Sequence, residues 1–219
     1  MIHNNKSYKS LRSDLLKFVE SPKSILDVGC NEGILGLYVK ENIHEDIHVS
    51  GIDYNPKTIA IAKKRLDIAE VVNLNNQQDI HDFLKKCPNY DHIILGDVLE
   101  HLTHPLEVLN TLSSQLSQNG KMIISLPNTN HYTTLLNFFL LKWPRNKRGI
   151  YDKTHLQIYM LRNLSELAPD GFKITNIKRK YRLFESRSTI LDKAIAYPLN
   201  LLVYFREFLT FQYIVVISK

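Results

Sequence analysis

Cysteine is scarce in this chain: Cys30 and Cys87 are the two among 219 residues, and they stand far apart. That excludes a disulfide framework and any zinc-ligand spacing, so a reducing compartment is the default. Long apolar runs are missing too. None approaches the roughly 20 residues a membrane span needs. The opening MIHNNKSYKS has no apolar core of a secretory signal, so a cytoplasmic location is the expectation. Neither G-x-G-x-x-G nor G-x-x-x-x-G-K-[ST] occurs, which speaks against a dinucleotide fingerprint and excludes a P-loop. There is no internal repeat and no low-complexity tract. What remains is ordinary: 44% hydrophobic and 23% charged residues, the composition of a globular chain. The length suits a single domain, 1–219, with residues 127–160 and 183–211 read as insertions or a lid.

The net charge of +6 is unevenly spread. Residues 142–187 hold 12 Lys and Arg against 4 Asp and Glu, whereas residues 1–141 hold 13 against 16. A basic stretch of this kind attracts phosphates, nucleic acid or an anionic membrane surface, although solubility alone also accounts for it.

Strand and helix patterns alternate with the period of βαβ units. Strands are expected at 24–28, 47–53, 70–74, 91–96 and 121–126, the last entered through an Asn119-Gly120 turn. Helices are expected at 33–40, from Pro56 onward, at 80–86 and at 105–116. Five such strands predict a parallel sheet covered on both faces. Further on, 130–141 and 159–168 read as helices, 172–182 as a strand and 188–209 as an apolar helical segment. The final run, 212–218, is β-branched and continuous, as a buried strand inserted into the sheet would be.

The first strand runs into Asp27-Val28-Gly29-Cys30-Asn31-Glu32-Gly33. Glycines at a strand-to-helix turn let the backbone approach a ligand. Asp53 ends the second strand, where a carboxylate can accept ribose hydroxyls. Asp79 and Ile80 follow the third, suited to an adenine amino group and ring face. These positions share the C-terminal edge of the sheet, the crevice where open parallel sheets bind ligands. The pattern points to a nucleoside held without a phosphate cradle.

The segments DVGCNEG, GIDYNP, QQDI and YDHIILGDVLEHLTHP, in that order, resemble class I S-adenosylmethionine-dependent methyltransferases. The likeness covers about residues 20–182 and is nearest to small enzymes akin to ubiquinone-biosynthesis O-methyltransferases and to those of surface-glycan clusters. SLPNTNHY and GIYDKTHLQIYM resemble the latter. The resemblance implies a Rossmann-like α/β fold, a seven-stranded mostly parallel sheet with an antiparallel last strand and helices on both faces. It implies S-adenosyl-L-methionine as cofactor, with Asp27, Gly29, Cys30, Asn31 and Gly33 at its methionine end. Asp53 would take the ribose, Tyr54, Asp79 and Ile80 the adenine, and Leu95 to Asp97 the amino acid part. Asn31 stands where the family has its middle glycine.

For methyl transfer to a hydroxyl, a nearby base removes the proton. His155, with Asp152 placed to orient it, and His101 compete for that role. His101 and His104 are spaced i, i+3, but no third ligand is evident and HExxH is absent, so no metal is expected. The basic quarter suits an anionic small-molecule or glycan-type acceptor, such as a diphosphate-linked sugar. The aromatic-rich run at 195–211 reads as a lid, a dimer surface or an interfacial membrane anchor. GDVLE follows the fourth strand where base-methylating enzymes carry an NPPY-type motif, so nucleic acid is disfavoured. N-methylation, an inert cofactor-binding subunit and an NAD-dependent oxidoreductase remain as alternatives, the last opposed by the Asn31 turn. Oligomeric state is not legible.

Overall fold

The computed structural model describes residues 11–43, 46–182 and 203–219. After a short helix α1 (Ser13–Leu16), strands and helices alternate through β1 (Ser24–Val28), α2 (Ile34–Asn42), β2 (His48–Asp53), α3 (Pro56–Ala62), β3 (Ile68–Val71), α4 (Gln77–Leu84) and β4 (Tyr90–Gly96). A 3-10 turn, Leu99–His101, leads to α5 (Pro105–Ser113) and β5 (Leu116–Pro127). The chain continues through α6 (Tyr132–Phe139), a 3-10 segment at Leu161–Leu167, β6 (Lys173–Tyr181), α7 (Val203–Leu209) and β7 (Thr210–Ser218). The sheet order is β3-β2-β1-β4-β5-β7-β6, with β7 antiparallel to both β5 and β6. The Rossmann-like sheet with its antiparallel last strand is therefore as expected.

Alternation along the central strands builds two cores. On β1, Leu26 and Val28 face one side and Ile25 the other; on β4, Ile93 and Leu95 oppose Ile94. The first core takes Phe83 from α4 and Leu109 and Leu112 from α5. The second takes Leu15, Leu35, Val39 and Ile59 from α1, α2 and α3. Fully burying one such side chain stabilises by about 1.5–3 kcal/mol. A helix cap such as Asn55, whose Oδ1 accepts the Lys57 N–H at 3.0 Å, contributes about 1 kcal/mol. Core burial therefore dominates, and the caps set where helices begin. The outer strand β6 exposes Lys173, Lys178 and Lys180, charges that discourage edge-to-edge pairing.

Several expectations need correction. Asn119 and Gly120 lie inside β5 as a bulge, between the pairs Tyr90↔Leu116 and His92↔Lys121, and not in a turn before the strand. A Cβ at Gly120 would meet the Tyr90 carbonyl oxygen at 3.0 Å, so the close strand approach explains the glycine. The expected helix at 159–168 is a 3-10 segment beginning at Leu161, because Tyr159 is held extended with its hydroxyl donating to the Leu99 carbonyl at 3.3 Å. The segment 188–202 lies outside the described residues, as does the first part of the expected lid at 195–211; Val203–Leu209 is helical. No helix among the described residues is long and apolar enough to cross a membrane.

Candidate functional site

The turn after β1 is built from left-handed residues: φ is 75° at Gly29, 51° at Asn31 and 73° at Gly33. Asparagine tolerates that region better than most side chains, which accounts for Asn31 at a glycine position. Gly29 has a second reason to lack a side chain, since a Cβ there would sit 2.7 Å from Val98 Cγ2. That contact also shows how closely the turn after β1 abuts the segment after β4.

Asp53, at the tip of β2, is tied to this turn. Its Oδ2 accepts the Asn31 N–H at 3.0 Å and its Oδ1 the Asn55 N–H at 2.9 Å. Each oxygen keeps lone-pair capacity for a further donor. Burial raises its pKa against those bonds. Asp27, almost fully buried, is pushed up to about 7, first by burial and then by the charge of Asp53, with Arg12 opposing. A pair of acids so arranged favours a cationic, hydroxyl-bearing ligand, which would relieve both. Cys30 faces inward, its Sγ 2.7 Å from where a Gly51 Cβ would stand, and burial pushes its thiol up. It packs; it is no nucleophile.

The remaining expected contacts divide. Tyr54 is 78% exposed beside Asp53, free to stack on a planar ring. Asp79 lies in the first turn of α4, where its carboxylate accepts from the Asn73 N–H at 3.3 Å and the Asn76 side chain at 2.7 Å. Ile80 and Leu95 are wholly enclosed in the core and offer no surface to a ligand. β3 spans Ile68–Val71 and not the expected 70–74, so Asn73 and Leu74 fall in the loop after it, closer to its end along the chain than Asp79.

Asp97 follows β4 in a left-handed conformation, φ 58°. Its Oδ2 accepts from Arg12 Nη1 at 2.7 Å, and its Oδ1 from Ser125 Oγ at 2.7 Å and Gln212 Nε2 at 2.5 Å. Arg12 also grips Asp14, whose carboxyl is driven well below the usual range although burial alone would raise it. Arg12 thus holds the Asp97 carboxylate that also ties Ser125 of β5 and Gln212 of β7 to the end of β4. No sequence signal flagged it, because its partner Asp97 lies 85 positions away.

Across from this edge, the segment after α6 is stitched to the 3-10 turn. The N–H groups of Leu156 and Gln157 donate to the Glu100 carbonyl at 2.7 and 3.1 Å, and Gln157 Nε2 reaches the Leu102 carbonyl at 3.0 Å. This brings the rings of His101 and His155 to 4.9 Å, edge to face. Asp152 does not hydrogen-bond the His155 ring, as its spacing suggested. Its Oδ1 accepts the Thr154 hydroxyl at 2.7 Å and the Thr154 N–H at 2.9 Å. With its proton so committed, Thr154 Oγ1 accepts from His101 Nδ1 at 3.0 Å. Asp152 therefore orients His101 through Thr154, leaving His101 Nε2 with the lone pair. His155 is set by the Ile150 carbonyl, which accepts from its Nδ1 at 3.2 Å, and burial lowers its pKa.

Glu100, adjacent to His101 in sequence, is 1% exposed, and its Oε2 has no hydrogen-bond partner. Burial, then the charge of Asp97, raises its pKa well above the ordinary glutamate range. Ligand atoms of Glu100, His101 and His155 lie within 4.8 Å of one another. His104 points elsewhere, its Nδ1 3.9 Å from Glu107. The donors that sequence did not supply beside His101 are thus those of His155 and Glu100.

A family model described as a methyltransferase domain matches residues 1–175. A ubiquinone biosynthesis O-methyltransferase of Coxiella burnetii (strain RSA 493 / Nine Mile phase I) is 31% identical over 121 residues, 52% of this chain and 50% of that protein. The mitochondrial ubiquinone biosynthesis O-methyltransferase of Schizosaccharomyces pombe is 31% identical over 108 residues, 48% of this chain and 38% of that one. The chain spans about half the length of the curated relatives it matches. Among solved structures, a SAM dependent methyltransferase from Archaeoglobus fulgidus superposes with a TM-score of 0.62 at 19% identity, covering 98% of this chain and 97% of that one. The plantazolicin methyltransferase BamL, in complex with a triazolic desmethylPZN analog and SAH, gives 0.61 at 18% identity, covering 93% and 79%. At those identities the likeness is one of fold.

Proposed function

The chain belongs to the methyltransferase-domain family, and on that premise we propose that it moves the methyl group of S-adenosylmethionine to a hydroxyl oxygen of a small-molecule acceptor. One observation carries the reading: Asp53, locked to the left-handed turn by the Asn31 N–H, stands at the strand edge beside an exposed Tyr54. Asp53 would take the ribose hydroxyls, Tyr54 and the Asn73–Leu74 loop would flank the adenine, and the Gly29 turn with Asp27 would meet the methionine end. The bound cofactor supplies a methyl already activated on a cationic sulfur. The protein's work is then alignment and proton removal. His101 Nε2 would take the proton of the acceptor's hydroxyl as that oxygen receives the methyl group. Asp152 stabilises the resulting imidazolium through Thr154. His155 and Glu100 line the same wall. The basic residues from Lys142 onward favour an anionic acceptor, and ubiquinone-type relatives favour oxygen over nitrogen.

The test is formation of S-adenosylhomocysteine from S-adenosylmethionine with a panel of phenolic, catecholic and sugar-phosphate acceptors. Turnover with hydroxyl acceptors is expected; turnover with amines alone would overturn the oxygen assignment. A second reading is favoured by the unpartnered Glu100 Oε2: a divalent cation held by Glu100, His101 and His155 that acidifies the acceptor hydroxyl. Dialysis against a chelator separates the two. The base reading expects undiminished turnover, and loss restored by added cation selects the metal.

Asp27 gives a pH signature. Its pKa in the free protein is about 7, and a cofactor bearing an ammonium group favours the ionised form. Binding should therefore release protons near neutrality. S-adenosylhomocysteine is expected to bind more tightly at pH 8 than at pH 6, and calorimetric heats should vary with buffer ionisation enthalpy. Identical affinities across that range would separate Asp27 from the cofactor.

A further inference from the structure

We propose that α6 and the loop after it form a docking face for an anionic lipid bilayer. From Leu136 onward the chain exposes Phe138, Phe139, Leu140, Leu141 and Trp143, with Phe139 85% and Leu141 95% accessible. Scattered apolar residues are normal on a surface, but a contiguous run of large ones marks a site of contact. The face is also built to stay presented. Leu141 adopts a left-handed conformation, φ 51°, which ends the helix and lets the Lys142 N–H donate back to the Asn137 carbonyl at 2.8 Å. Behind it, Trp143 meets the Tyr151 ring edge to face at 5.5 Å, and the Tyr151 hydroxyl donates to Thr133 at 3.0 Å. The backbone of Asn146 clips to Tyr151 and Lys153.

Charge selects the occupant. Lys142, Arg145, Lys147, Arg148 and Lys153 follow directly on the apolar run, and the one acid within residues 132–155, Asp152, is buried and committed to Thr154. None of the five cations forms an ion pair with a described residue. A second copy of this chain on a two-fold axis would bring five like charges against these five, which opposes dimerisation. A nucleic acid would satisfy the cations and leave Phe139 and Leu141 in water. An anionic bilayer satisfies both: the aromatic and aliphatic side chains enter the headgroup boundary, and the cations remain at the phosphates. The loop's other end holds His155 through the Ile150 carbonyl, so docking would bring the histidine wall to the membrane surface.

This face does not depend on the transfer chemistry, and its test does not use activity. The full chain is sedimented with vesicles of phosphatidylcholine and with vesicles of equimolar phosphatidylcholine and phosphatidylglycerol. Binding to the anionic vesicles at least about tenfold tighter than to neutral ones is expected, weakening with salt. The double variants Phe139→Ser/Leu141→Ser and Lys147→Glu/Arg148→Glu should each lose at least about tenfold in partitioning. Affinity for S-adenosylhomocysteine and Tm should stay unchanged. Three results would overturn the proposal: no binding to anionic vesicles, a stable dimer dissolved by Phe139→Ser/Leu141→Ser, or a large fall in Tm in that variant, which would show the chain itself covering the face.

Discussion

Asp53→Ala is expected to weaken binding of S-adenosylhomocysteine about 100-fold by calorimetry. The carboxylate accepts two backbone N–H groups, from Asn31 and Asn55, and its remaining lone pairs are assigned to the ribose. Hydrogen bonds to a charged group contribute about 1.5–3 kcal/mol each. Losing two to the ligand corresponds to about two orders of magnitude or more. The alanine also removes the acceptor that holds Asn31 in its left-handed conformation, so the turn loosens as the ribose contacts vanish. Asp53→Asn keeps one carbonyl acceptor and should fall between wild type and alanine. Far-ultraviolet dichroism and Tm check that the fold survives. Unchanged affinity in a folded Asp53→Ala protein would remove the cofactor assignment at its foundation, whatever the fold.

His101→Ala carries the second large effect, a fall in kcat of about 10²–10⁴ with cofactor affinity nearly unaltered, the range for a lost general base. The geometry separates the two histidines. His101 is aligned by the Asp152–Thr154 pair and lies one short turn beyond Val98, which packs against Gly29 in the turn after β1. His155 is the more enclosed ring, and its Nε2 faces Glu100 at 4.0 Å. His155→Ala should therefore cost far less, about tenfold. Thr154→Val breaks the link to Asp152 while keeping the shape; kcat should drop with the KM for S-adenosylmethionine held. If His155→Ala proved the more damaging variant, the roles would be exchanged. The acid limb of the pH profile would then lie below the ordinary histidine range, because burial favours neutral His155.

How much of this was legible beforehand follows the range of the interactions. Period-two alternation and turn chemistry are local, and they placed β1 to its terminal residues and located the core of β2, β4 and β7. The bulge at Asn119-Gly120 misled because Asn-Gly usually closes a turn, and only the paired strand β4 shows that β5 runs through it. The 3-10 segment at Leu161–Leu167 carries an apolar pattern like that of a helix, but Tyr159 is anchored to Leu99 first.

The same division runs through the site. The order of Asp27, Gly29, Asn31 and Asp53 along the chain was enough to bring them to one edge as a candidate crevice, because a parallel sheet puts successive strand ends together. Sequence determined the fold class, the acidic strand tips and the two candidate histidines. Tertiary structure alone decided that Arg12 reaches Asp97, that Asp152 serves His101 and not its near neighbour His155, and that the buried Glu100 comes within reach of both histidines. Those pairings join residues dozens of positions apart. Their partners are chosen by which loops the packed sheet brings together, and local pattern carries no record of that choice.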